Sequence, residues 1–335
     1  MMCSRGPTAA GRCYWWFAGD SMFSLWLGAS TPMRLLVHQA LLNAYHMVVP
    51  CICLYCRERY QMPESLKSEL TDRQQREIDY HREHAKEHQR IIASPFSWDV
   101  LQHPGRRWWN AYWQMYAYLI SYDLKGKRVL VVGCGFGDDA LRLAKLGADV
   151  YAFDLSPDSL QIARDLAARE GLQIAFDEMP AERMQYQDST FDFIVARDIL
   201  HHVDITPTMH EIVRVAKPDA LFIINEIYSH SITDKIRHSS LVERILYPRM
   251  RRIIYGSEKP YITQDERKLS EHDLEKVTTL LQPLQLEEYF NFLVTRILPD
   301  RYEFLAKADR LLLRLLRPMA SLLAGRVLLA ARLSK

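Results

Sequence analysis

The stretch VLVVGCGFGDDALRLAKLGADVYAFDLS, Val129 to Ser156, holds the residue types best suited to grip a ligand. Gly133, Gly135 and Gly137 alternate at the end of an apolar run, and an acid, Asp154, closes the next one. Glycines so spaced let backbone approach a bound molecule closely, and a carboxylate can accept hydrogen bonds from both hydroxyls of a ribose. A dinucleotide turn beginning at Gly133 needs glycine at 138, where the chain has Asp138. Asp138 and Asp139 would also set negative charge at a helix start that otherwise attracts a pyrophosphate. The ligand that fits is an adenosine-containing molecule without phosphate and with a cationic end.

A second group, His201 and His202, follows an apolar run, and Glu226, Tyr228 and His230 follow another. Imidazole titrates near neutrality, so either histidine could act as general base for a hydroxyl; the pair could equally fix a loop. His81, His84 and His88 share a helical face among Arg, Glu and Lys, the usual look of a solvated surface, and CICLYC near the N-terminus lacks further ligands for zinc. No metal site is expected.

Alternating elements must position these groups. Strands are expected at Arg128–Val132, Asp149–Phe153, Leu172–Phe176, Phe191–Ala196 and Leu221–Glu226, with helices near Asp139–Leu146 and Pro157–Glu170 and a last strand from about Arg326. Ser156 is placed to cap a helix that has Pro157 at its first position. That order implies an α/β fold, a doubly wound, mostly parallel sheet with the ligand beyond the carboxyl ends of the strands. Upstream, RRWWNAYWQMYAYLISYDLKGK reads as a helix carrying Trp108, Trp109, Tyr112, Trp113, Tyr116 and Tyr118, either core packing or a lid over a ligand.

From Lys127 to the C-terminus the chain resembles the class I S-adenosylmethionine-dependent methyltransferases. The glycine turn is followed in order by MPAERMQYQDSTFDFIVARDILHHV and by RVAKPDALFIINE, similar to that family's adenine loop, fourth strand and lead-in to the fifth. The resemblance implies a Rossmann-like sheet of seven strands behind an N-terminal helical extension, with S-adenosylmethionine as cofactor. Carried over residue by residue, it gives Gly133, Gly135 and Gly137 to the methionine and ribose side, Asp154 to the ribose hydroxyls, Ala181 and Glu182 to adenine, and Arg197 to a place beside the cofactor. His201 and His202 become the candidate catalytic residues. The chain departs from the pattern at Val131, where an acid is common, at Pro180 and at Pro218 to Ala220; anchoring of the methionine ammonium would then pass to Asp138 or to water.

The tetrapeptide of an adenine-N6 methyltransferase is absent where RDIL stands, and so is a Pro-Cys nucleophile, which argues against nucleic acid. Lys+Arg of 43 against Asp+Glu of 41 supplies no field for it either. A small-molecule or lipid-like acceptor, methylated at oxygen or nitrogen, is expected. Three regions follow: an extension at 1–61, a helical cap at 62–126, and the methyltransferase domain at 127–335 with a basic insertion at 231–269. The extension has five of the six cysteines and the run LLVHQALLNAYHMVVPCICLYC, whose polar residues and Pro disfavour a transmembrane helix. Met62 reads as a natural start, so a chain shortened to begin there is expected to keep full activity.

Cysteine usage after residue 56 points to the cytoplasm. The insertion carries seven Lys or Arg against two acids between Lys235 and Lys259, and the C-terminal KADRLLLRLLRPMASLLAGRVLLAARLSK is basic and leucine-rich. Peripheral membrane contact is one reading of the pair, with Arg251 and Arg252 at head groups and Ile253, Ile254 and Tyr255 toward apolar material; ordinary core packing is the other. Two alternatives stand beside the enzyme: a non-catalytic scaffold of the same fold, kept alive by Val131 and Pro180, and a nicotinamide-dependent reductase, to which Tyr255 and Lys259 offer a YxxxK spacing that Gly256 and Pro260 undercut.

Overall fold

The structure, a computed structural model, describes residues 60–246, 248, 267–281, 283–294, 298–299 and 302–333. The cysteine-rich extension and the stretch with Arg251 to Lys259 lie outside the described residues.

Apolar runs build the centre. β1 (Arg128–Val132), β2 (Asp149–Asp154), β3 (Ile174–Glu178), β4 (Phe191–Arg197) and β5 (Ala216–Ile227) pair in parallel, and β6 (Leu284–Phe290) and β7 (Arg326–Arg332) complete a seven-stranded sheet. The order is β3-β2-β1-β4-β5-β7-β6, with β7 antiparallel to both neighbours. Four of the five β1 residues are buried, as a strand covered on both faces requires. The direction of winding reverses between β1 and β4, so the carboxyl ends of those strands open the crevice where such sheets bind ligands.

Helices cover both faces. On one side lie α2 (Ala111–Ile120), α3 (Asp138–Lys145) and α4 (Pro157–Arg169), packing Met115, Tyr116, Leu119, Leu141 and Leu160 against the sheet. On the other lie α5 (Ile205–Val215), α7 (Glu271–Thr279) and α8 (Glu303–Leu315), contributing Met209, Ile212, Leu274, Val277 and Leu313. The remaining helices that matter here are α1 (Asp72–His88), α6 (Ser231–Arg237) and α9 (Ala320–Leu323). Ser156 caps α4 by accepting from the Ser159 amide, with Pro157 at the first turn, as its sequence suggests. Thr71 and Gln74 close a capping box on α1.

The expected α/β, doubly wound, mostly parallel seven-stranded architecture is the one observed. β3 sits two residues later than its sequence suggests, and β5 begins earlier, at Ala216. β6 was not legible from its residues, because this edge strand, buried only at Phe290 and elsewhere half-buried or exposed, carries Gln285, Glu287 and Glu288 and shows no continuous apolar run.

Candidate functional site

The glycine turn leaves β1 and enters α3. Gly135 sits at φ +51° with nothing within 4 Å of where a side chain would begin, so the turn is open on that side. Gly133 and Gly137 have the opposite reason to be glycine: a Cβ would meet the Ile199 side chain at 2.4 Å in the first case and Ala163 Cβ at 2.8 Å in the second. Asp154 ends β2 facing the same opening. Its carboxylate accepts from the Gly135 amide at 2.8 Å and from the Ser156 amide at 2.9 Å, which fixes it while leaving each oxygen capacity for another donor.

Ala181 is buried in the loop after β3. The neighbouring Glu182 carboxylate accepts from the Asp204 amide and from Gln74 Nε2, each at 3.0 Å, and so ties the loop to the start of α5 and to α1. α1 continues across the carboxyl ends of the strands. Arg73 donates to the His201 carbonyl at 2.8 Å, Glu77 meets His202, and the His84 ring stacks on Phe136 of the glycine turn with centroids 5.2 Å apart. The face bearing His81, His84 and His88 is therefore half-buried against the site, not the solvated surface its composition suggests. Burial, with His88 and His81 nearby, pushes His84 down to about 4.

At the end of β4, Arg197 donates to the buried Asp139 carboxylate at 2.6 Å and lies over the Tyr112 ring at 5.1 Å; Tyr116 donates to the same carboxylate at 2.6 Å. Burial lowers the Arg197 pKa, but the charges of Asp139 and Asp198 more than reverse this and hold it well above the usual arginine range. Asp138 differs from its neighbour: half-exposed at the start of α3, it lies 3.9 Å from Arg142.

The two histidines diverge. His201 is only 3% exposed, and its Nδ1 lies 2.8 Å from Glu226, which is fully buried at the end of β5. Glu226 also accepts the Ile199 and Leu200 amides at 2.7 Å, so one carboxylate holds the whole loop after β4. Because a carboxylate only accepts, His201 carries its proton on Nδ1. His202 Nδ1 lies 3.2 Å from Glu77 Oε1, and His81 stands 3.8 Å from the other oxygen. Burial raises the Glu77 pKa, but the His202 hydrogen bond and the His202, His81 and Arg73 charges outweigh it and hold the carboxyl below its ordinary value. Tyr228 is buried, and His230 caps α6 by accepting the Ile232 amide at 3.2 Å.

Residues 130–224 match a family model described as "Methyltransferase domain". Residues 130–224 form a class I, S-adenosylmethionine-dependent methyltransferase domain. Curated relatives share it: methyltransferase GfsG of Streptomyces halstedii is 36% identical over 115 residues, 33% of this chain and 41% of its own. Norajmaline N-methyltransferase of Rauvolfia serpentina is 34% identical over 110 residues, 32% and 37% of the two chains. A ubiquinone biosynthesis O-methyltransferase of Methylocella silvestris is 40% identical over 80 residues, 24% and 31%. These matches thus span less than half the length of the relatives. Among solved structures, magnesium protoporphyrin IX methyltransferase from Synechocystis PCC 6803 with bound SAH superposes with a TM-score of 0.47 at 15% identity, over 78% of this chain and 100% of that one.

The Asp139–Arg197–Tyr116 cluster and the α1 contacts went unread in the sequence. Asp139 was visible only as a helix-start acid, and nothing local told it apart from Asp138.

Proposed function

We propose that this protein transfers a methyl group from S-adenosylmethionine to a small-molecule or lipid-like acceptor, at oxygen or nitrogen. The observation that carries the proposal is the open turn at Gly135, its amide fastened to Asp154 at the end of β2. An adenosine-bearing ligand fits that cradle: Gly133, Gly135 and Gly137 line its backbone side, and Asp154 keeps capacity for both ribose hydroxyls. Ala181 and Glu182 border the adenine end, and Arg197 stands at the end of β4. Val131, buried where relatives of this class often place an acid, leaves half-exposed Asp138 to receive the methionine ammonium.

The bound cofactor supplies a methyl group already activated by its sulfonium, so the chain's own work is alignment and, for a hydroxyl acceptor, removal of a proton. His201 and His202 are the groups proposed for that removal, with Glu226 and Glu77 orienting their rings. His201 also locks its loop, so its loss would disturb more than the proton transfer. An amine or an ionised acceptor needs neither.

Calorimetry tests the core of the proposal. S-adenosylmethionine and S-adenosylhomocysteine should bind the native chain, and Asp154→Ala should lose about a hundredfold in affinity, the scale of two charge-assisted hydrogen bonds. Equal binding by the variant, or none by the native chain, would sink it. Transfer of a labelled methyl group to members of an acceptor panel then separates oxygen from nitrogen chemistry.

A further inference from the structure

Helix α8 buries two charged residues and leaves large apolar ones in solvent. Its inward face includes Asp309 and Arg310, each 4% exposed, beside Ala306 and Leu313, and its outward face carries an apolar stripe among Glu303, Lys307 and Arg314. Asp309 accepts the Phe292 and Leu293 amides at 3.0 and 2.7 Å, while Arg310 bonds the Tyr289 carbonyl and Glu288 and lies over the Phe290 ring at 3.8 Å. Those anchors fix the rotation of the helix. They leave Phe304, Leu311 and Leu315 in solvent, the last 82% exposed, at spacings that form one stripe, and Met319 lies just beyond in the following turn.

α9 packs against both α8 and α6, and α6 exposes Ile232 and Ile236. α6 follows β5 directly, and β7 begins opposite the end of β5, pairing Ile227 with Arg326. This apolar ground therefore lies toward the edge of the sheet onto which the carboxyl ends of β4 and β5 open. Cations outnumber acids around it: Lys235 and Arg237 flank Ile236, Arg314 precedes Leu315 and Arg317 stands two residues before Met319, against Asp234 on α6 and Glu303, paired with Lys307, on α8. No described helix is long and apolar enough to cross a membrane.

We propose that the α6–α8 face docks on the surface of an anionic lipid bilayer. Apolar side chains ringed by Lys and Arg match the boundary between acyl chains and negative head groups, whereas a protein partner of like composition would leave those cations unmatched. The arrangement would bring the strand ends to the bilayer, where a lipid-like acceptor resides. The docking itself rests on α6 and α8 and not on the methyl-transfer reading, so either can fail without the other.

Flotation of the full chain with vesicles of phosphatidylcholine, alone or with about one third phosphatidylglycerol, tests it. Binding is expected to the anionic vesicles, to weaken with added salt, and to fall about tenfold in Leu315→Glu and also in Arg317→Glu. Unchanged thermal midpoints and S-adenosylhomocysteine binding would show that both variants remain folded, since both side chains are exposed. No flotation, equal binding to neutral vesicles, or binding indifferent to both changes overturns the proposal. So does a dimer of the native chain that Leu315→Glu dissolves, which would assign the face to a second copy.

Discussion

Helices α1 and α8 solve the same problem with opposite faces. α1 turns Arg73, Gln74, Glu77 and His84 toward the protein and meets a partner for each at the strand ends. α8 also turns charges inward, Asp309 and Arg310, but it leaves Phe304, Leu311 and Leu315 outside, among Glu303, Lys307 and Arg314. An amphipathic pattern says that two faces differ; it does not say which one packs. Here that choice is made by specific polar anchors, whose burial is tolerable only because each finds a donor or acceptor. The consequence differs in kind: α1 ties down the loops after β1 and β4, and α8 leaves an apolar stripe in solvent.

The comparison breaks most sharply at Asp309. Replacing it with Ala orphans two amides and leaves Arg310 with less compensating charge, so Asp309→Ala should cost about 3 kcal/mol in urea unfolding. A loss under about 1 kcal/mol would mean that α8 is held by its apolar contacts after all.

On α1 the corresponding change is Glu77→Ala, which removes the bond to His202 and the charge facing His81 and should cost about 2 kcal/mol, with Glu77→Gln recovering part of it. If the alanine variant unfolds like the native chain, α1 is held elsewhere.

A smaller effect is carried by protons. Because the folded His84 titrates near 4 and the unfolded one near 6.5, the unfolded chain takes up a proton more readily between those values. The stability this ring contributes is present above pH 6.5 and drains away as pH falls toward 4. Solvent screening of a half-buried ring reduces the nominal figure to about 1 kcal/mol. His84→Gln should flatten that slope in unfolding midpoints taken across the window; an unaltered slope would move the effect to other groups.

Smallest of all, Leu311→Ser with Leu315→Ser should cost no more than about 1 kcal/mol, mostly helix propensity, because Leu311 stays half exposed and Leu315 mostly so. A larger loss would show the leucine stripe to be covered in the native state.

The chain's local chemistry made much of the fold legible. Apolar runs at Val129–Val132 and Phe191–Ala196, Ser156 with Pro157, and the order of strand and helix were enough to place six of the seven strands, the last from Arg326 included, because burial on both faces writes itself into consecutive residues. β6 escaped because this edge strand is buried only at Phe290. The glycine turn and Asp154 stood out in the sequence as a candidate ligand cradle, and the structure gives Gly133 and Gly137 a steric reason, since a Cβ there would collide, while Gly135 is open.

What tertiary structure alone decided is who meets whom. Glu226 and His201 are 25 residues apart, Asp139 and Arg197 are 58, and Glu77 and His202 are 125. No local pattern distinguishes buried Asp139 from exposed Asp138, or the inward charge of α8 from an ordinary surface one. Spacing fixes the backbone a residue sits on; the partner that makes its burial affordable arrives only when the chain has closed.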